Sequence, residues 1–132
     1  MFHESVGTIR YGEDYKLVVE VDQELARFYR SLIPKWIGVT RPRWPAHITV
    51  VRSEKESPVD LSVWGKYEGY QIKFLYNSDV QFGKIYYWLD VLCKDLEEIR
   101  KELGMSVTSQ YTRPPDGFSK YFHCTIANLK DI

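Results

Sequence analysis

The chain has 132 residues, 44% of them hydrophobic and 27% charged, and its 18 Lys and Arg balance 18 Asp and Glu. That length fits one compact domain rather than two ordinary ones, and the composition excludes a disordered chain. A net charge of zero argues against a protein that coats long nucleic acid through a broad basic face, but it allows a small anion held in a local pocket.

The opening "MFHESVGTIR" lacks an apolar core, and no run of about 18 apolar residues follows, so neither a signal peptide nor a membrane span is expected. The expected location is the cytoplasm. Tyr15 to Val21, "YKLVVEV", predicts a strand, and Asp22 is placed to cap the helix "QELARFYRSLI". Leu25, Phe28, Tyr29 and Leu32 form the expected apolar stripe of that helix, which Pro34 helps to end. A loop, "PKWIGVTRPRWP", leads to the strand "HITVV". The polar stretch 53–58 reads as a surface connection, with a short helical turn expected in "SPVDLSVWG".

In the second half, "GYQIKFLY" and "KIYYWLDVL" predict an antiparallel pair joined through "NSDVQFG". The helix "KDLEEIRKEL" follows, with Leu96, Ile99 and Leu103 on one face and Gly104 as its stop. The loop "SQYTRPPDGFSKY" then precedes the strand "FHCTI". The two cysteines, Cys93 and Cys124, lie in apolar strand-like segments and are expected to be buried thiols.

Both halves therefore run strand, helix, Arg-Pro loop, His-x-Thr strand. Leu25, Phe28 and Leu32 map onto Leu96, Ile99 and Leu103; Thr40-Arg41-Pro42 recurs as Thr112-Arg113-Pro114; and His47 maps onto His123. Small loop insertions account for the growing offset. An internal duplication is the expectation, though generic strand-helix-strand patterning produces similar periodicity.

Residues i and i+2 of a strand share a face. His47 thus stands beside Thr49, and His123 beside Thr125. If the duplicated strands meet, two imidazoles and two hydroxyls converge on a volume suited to a phosphodiester. Cleaving that bond requires one group to accept a proton and another to donate one, which histidine does near neutral pH. The threonine hydroxyls would donate hydrogen bonds to the non-bridging oxygens as charge builds there. The bland alternative is a pair of structural histidines satisfied by nearby hydroxyls. His3-Glu4-Ser5 also fits His-x-Ser, but no apolar strand surrounds it, so it reads as frayed surface.

Arg41 and Arg113, just upstream of the two motifs, could bind phosphate bidentately or be plain loop arginines. Trp44, Tyr111 and Tyr121 could stack on a base or fill core, and Tyr11 is a weaker candidate for substrate contact. No metal is expected, because no His or carboxylate cluster has ligand spacing and the cysteines form no CxxC. No cofactor is expected either, since no Gly-rich phosphate loop precedes a helix.

The repeated "HITV" and "HCTI" resemble the paired signature of the two-histidine (2H), LigT-like phosphoesterase superfamily. That resemblance implies an α+β, bilobal fold: a single domain over residues 1–132, with lobes of about 1–60 and 61–132 related by a pseudo-twofold axis. Antiparallel sheets would line a central cleft with helices outside. It implies His47 and His123 as base and acid in either order, with Thr49 and Thr125 as phosphate binders. The run "IPKWIGVTRPRWPAHITVVR" after "KLVVEVDQELARFYR" is most similar to phage enzymes that degrade the cyclic nucleotide signals of bacterial CBASS immunity. The implied function is metal-independent cleavage of cyclic di- or oligonucleotides, in the host cytoplasm if phage-encoded. The alternatives are an RNA-end 2′,3′-cyclic phosphodiesterase and a non-catalytic nucleotide- or RNA-binding module. No membrane or long nucleic acid partner is expected; a monomer and an oligomer both remain open.

Overall fold

A computed structural model describes residues 1–52, 58, 60–108 and 113–129. Its strands are β1 (Phe2–Tyr11), β2 (Leu17–Glu20), β3 (Val39–Thr40), β4 (His47–Val51), β5 (Gln71–Asn77), β6 (Gln81–Gly83), β7 (Tyr86–Leu92) and β8 (Phe122–Leu129); its helices are α1 (Gln23–Ser31) and α2 (Lys94–Glu102). The fold is α+β. Six strands in the order β1-β2-β4-β8-β7-β5 close into an antiparallel barrel when β5 returns to β1, while β3 extends along β8 and β6 along β7.

That order is a palindrome in the chain. The first half supplies β1, β2 and β4, the second β5, β7 and β8, and each half inserts its helix before its last strand. The halves meet at two seams, β4 against β8 and β1 against β5. The seam that unites the two His-x-Thr strands is therefore a property of strand pairing, not of loops.

Strand alternation separates core from solvent. Ile9, Val19, Ile48, Leu89 and Cys124 are each no more than 2% exposed, and Leu96, Ile99 and Leu103 of the α2 segment join the same core. A fully buried aliphatic side chain contributes roughly 1.5–3 kcal/mol, so this face fixes the register of the sheet. Burial also pushes the Cys124 thiol up to about 12 and the Cys93 thiol up to about 11, and both cysteines are free and buried.

Asp22 caps α1 as expected, its carboxylate accepting from the Glu24 amide at 2.9 Å. The expected stripe of that helix holds for Tyr29, which is buried, and Leu25, which packs on the core, but Phe28 is 56% and Leu32 59% exposed, and Ala26 is buried in addition. Gly104, at φ 76°, stops the α2 segment as expected. The strand pair of the second half forms between β5 and β7, but the connection contains β6, which makes its own hairpin with β7. The helical turn in "SPVDLSVWG" is a single 3-10 turn at Leu61–Val63, and most of the polar connection, 53–57, lies outside the described residues.

The largest correction is at the N-terminus. The segment read as frayed surface is β1, the longest strand, paired with β5 from Phe2 onward. His3 sits opposite Tyr76, with ring centroids 5.5 Å apart. Its sequence hid it because the positions alternating with Ile9 are His3, Ser5 and Gly7. Gly7 is required by close packing: a Cβ there would collide with Val19 Cγ1 and lie 2.7 Å from the Glu20 carbonyl oxygen.

Candidate active site

The seam between β4 and β8 places Ile48 directly opposite Cys124, both facing the core. In an antiparallel ladder this sets His47 beside Thr125 and Thr49 beside His123, all four on the opposite, accessible face. The two imidazoles occupy one diagonal of this square and the two hydroxyls the other. Diagonal neighbours are attached about 7–8 Å apart, leaving room for a tetrahedral anion between the rings.

The flanking strands extend the square into two rows. One runs Glu20, His47, Thr125, Trp88 and the other Val18, Thr49, His123, Asp90. The histidines thus have different neighbours despite their symmetric places.

His47 bonds through Nδ1 to the Pro45 carbonyl at 2.8 Å. A carbonyl only accepts, so Nδ1 carries the proton and Nε2 presents a lone pair. The backbone just ahead of the ring is clamped by Gln23 of α1, whose amide accepts from Ala46 N and donates to Ala46 O, each at 2.9 Å.

His123 lies beside a carboxylate instead. Its Nε2 is 3.4 Å from Asp90 Oδ1, the side chains being 55% and 20% exposed. Asp90 is held in turn by Trp88, whose indole N–H donates to the same oxygen at 3.0 Å. Desolvation on the crowded strand face holds His123 below the ordinary histidine range; Asp90 opposes that shift, and Lys120 and Arg52 add to it. The backbone before β8 is clamped by Glu97 of α2, fully buried, whose Oε2 accepts from Ser119 N at 3.0 Å and Lys120 N at 3.4 Å. Glu97 Oε1 lies 3.7 Å from Lys94 Nζ and has no hydrogen-bond partner among the described residues.

The remaining candidates are scattered. Arg41 and Trp44 line a cavity next to His47. Tyr121, partly buried, precedes β8 by one residue and has the strand parity of His123. Arg113 is exposed in its loop, and Tyr111 lies outside the described residues. Tyr11 is not brought to the histidines: it has the parity of Ile9, packs edge-on against Trp64 at 4.8 Å, and its hydroxyl accepts from Tyr67 N at 3.3 Å. Cys124 faces away from the square, as strand alternation predicts.

Asp90, Trp88, Gln23 and Glu97 escaped the sequence reading. Trp88 and Asp90 had a usable signal, an i, i+2 pair of polar-tipped side chains inside the apolar run "YYWLDVL". Gln23 and Glu97 had none, because a polar residue in a helix looks solvated until its tertiary partner is known.

Among the described residues no group of three or more His, Cys, Asp or Glu could hold a metal ion, and no helix is long and apolar enough to cross a membrane. In comparisons with known proteins, no family model, curated protein or solved structure matches the chain.

Proposed function

We propose that the protein is a metal-independent phosphodiesterase of the two-histidine kind, its halves corresponding to the two lobes of that fold. More particularly, we infer that it cleaves 3′-5′ or 2′-5′ bonds of cyclic di- or oligonucleotide signals, as a phage enzyme disarming CBASS immunity would. The observation that carries the reading is the square of His47, Thr49, His123 and Thr125 on the accessible side of one strand pair. A structural role would not need both imidazoles on the solvent side.

In the proposed reaction His47 is the base, because its Nδ1–H is committed to Pro45 and its Nε2 is free to take a proton. It deprotonates the ribose hydroxyl next to the scissile linkage; that oxygen attacks phosphorus, and the bond to the 5′ oxygen breaks. His123 is the acid and protonates the departing 5′ oxygen, so the ring opens to a linear product with a cyclic phosphate at one end and a 5′-hydroxyl at the other. In the free protein desolvation outweighs Asp90 and lowers His123; the bound phosphate anion adds to Asp90 in favouring the imidazolium form. Thr49 and Thr125 donate to the non-bridging oxygens. With roles reversed, the same pair activates water to open the cyclic phosphate.

The test is turnover in excess chelator of cyclic dinucleotides, cyclic trinucleotides and 2′,3′-cyclic mononucleotides, repeated with His47→Ala and His123→Ala. Chelator-resistant cleavage lost in both variants is the expected result. Unchanged turnover in either variant overturns the mechanism; turnover of the mononucleotides alone would make this an RNA-end enzyme, and binding without turnover a nucleotide-binding module.

A further inference from the structure

A cavity of about 680 Å³ lies between one face of α1, from Gln23 to Arg30, and the loop that enters β4. Its walls carry Arg27, Arg30, Arg41 and Arg43, a single carboxylate, Glu24, and the indole of Trp44. Four guanidinium groups against one carboxylate is an uneven local charge in a chain whose net charge is zero.

The charge is only partly answered from within. Arg27 pairs with Glu24 at 3.0 Å, and Arg30 donates to the Ile126 carbonyl at 3.0 Å. Among the described residues no ion pair reaches Arg41 or Arg43. Desolvation, then Arg41 and Arg27, hold the Arg30 guanidinium below its ordinary range, so these cations repel one another in the absence of an anion. Mutual repulsion of this kind is relieved by a phosphate, whose oxygens match the guanidinium fork.

Two further features point to a nucleotide rather than a bare anion. Trp44 is 63% exposed, with Arg43 over its ring at 5.6 Å, an aromatic face placed to stack on a base. The volume falls within the roughly 300–1,000 Å³ of small-ligand sites. The cavity also abuts the square: Pro45 lines it, and the Pro45 carbonyl is the group that orients His47.

We propose that this cavity is a second subsite, which takes a neighbouring nucleotide unit of the substrate with its phosphate on Arg41 and the arginines of α1 and its base against Trp44. The proposal rests on the phosphodiesterase reading and deepens it: the enzyme prefers substrates with two or more phosphates over cyclic mononucleotides. Glu24 lowers the attraction without cancelling it.

Binding of adenosine 5′-monophosphate and of inorganic phosphate is measured by calorimetry on the wild-type protein, on the inactive His47→Ala/His123→Ala protein, on Arg41→Gln/Arg43→Gln and on Trp44→Ala. Thermal unfolding checks that each variant is folded; the exposed positions of Arg41, Arg43 and Trp44 make loss of fold unexpected. The expected result is nucleotide binding that survives loss of the histidines, weakens at least about tenfold in the arginine double variant, and weakens in Trp44→Ala while phosphate binding does not. In turnover, the ratio of kcat/KM for a cyclic dinucleotide over a 2′,3′-cyclic mononucleotide falls in the arginine variant. Absent nucleotide binding, or affinity and substrate ratio both unchanged in the arginine variant, overturns the subsite while leaving cleavage intact. Binding to the cavity without turnover of any substrate leaves the subsite standing and removes the catalytic reading.

Discussion

The strands β4 and β8 occupy equivalent places in the barrel, yet their surroundings are not equivalent. On β4 the imidazole is oriented by a neutral carbonyl and its approach is clamped by a neutral amide, Pro45 and Gln23. On β8 both tasks fall to carboxylates, Asp90 beside the ring and Glu97 beneath the loop. Symmetric strand pairing delivers the two rings to one place; asymmetric side chains then give them different partners. In the proposed reaction that difference separates a base from an acid, as environment can do for two like groups.

Removing either ring is the most severe way to break this comparison. His47→Ala and His123→Ala are each expected to lower kcat by on the order of 10²–10⁴-fold, the range for a lost general acid or base, read as chelator-resistant turnover. A loss of less than about tenfold in either variant would show that this ring takes no part in the rate-limiting proton transfers.

The clamps come next. Glu97→Ala empties a fully buried side-chain site and takes the acceptor from the Ser119 and Lys120 amides, and is expected to cost roughly 1–3 kcal/mol of stability, read by denaturant unfolding. Gln23→Ala takes the partners from the N–H and C=O of buried Ala46 but removes an exposed neutral side chain, and is expected to cost about 0.5–1.5 kcal/mol. Equal losses would mean that the buried carboxylate is no more than a substitute for the amide.

The pH dependence sharpens the comparison without abolishing activity. NMR titration of the free protein is expected to show His123 below the ordinary histidine pKa of about 6.5, because desolvation outweighs Asp90. Asp90→Asn removes the one charge that favours the imidazolium, so His123 should titrate lower still. Since the acid must be protonated, the basic limb of the rate profile should move to lower pH in that variant. An unmoved or raised His123 titration in Asp90→Asn would remove Asp90 from the site. A smaller movement in the opposite direction, upward, is expected for Trp88→Phe, which frees the Asp90 oxygen facing His123 from its indole donor.

How much was legible in advance follows the range of the interactions. Strand and helix periodicity revealed α1, α2, β4 and β8, and the i, i+2 rule put His47 with Thr49 and His123 with Thr125. It failed at β1, where His3, Ser5 and Gly7 occupy the core-side positions and hide the alternation. It also got half of the α1 stripe wrong, because Phe28 and Leu32 are apolar yet exposed, while Leu25 and Tyr29 face the core. Trp88 and Asp90 were missed, because nothing local in their apolar strand says that β7 will lie beside β8.

What the chain alone determined is local: which residues alternate along each strand, where Asp22 and Gly104 bound the helical segments, and that the same four-residue signature occurs twice. Only the tertiary structure decided that Ile48 stands opposite Cys124, which sets the four site residues in a square, and that Asp90 and Pro45 give the two rings different partners. The reason is physical: alternation and capping act between residues a few positions apart, whereas barrel closure and cross-strand register join residues as distant in the chain as Ile48 and Cys124 through burial of a shared core, and no short-range pattern encodes which partner arrives.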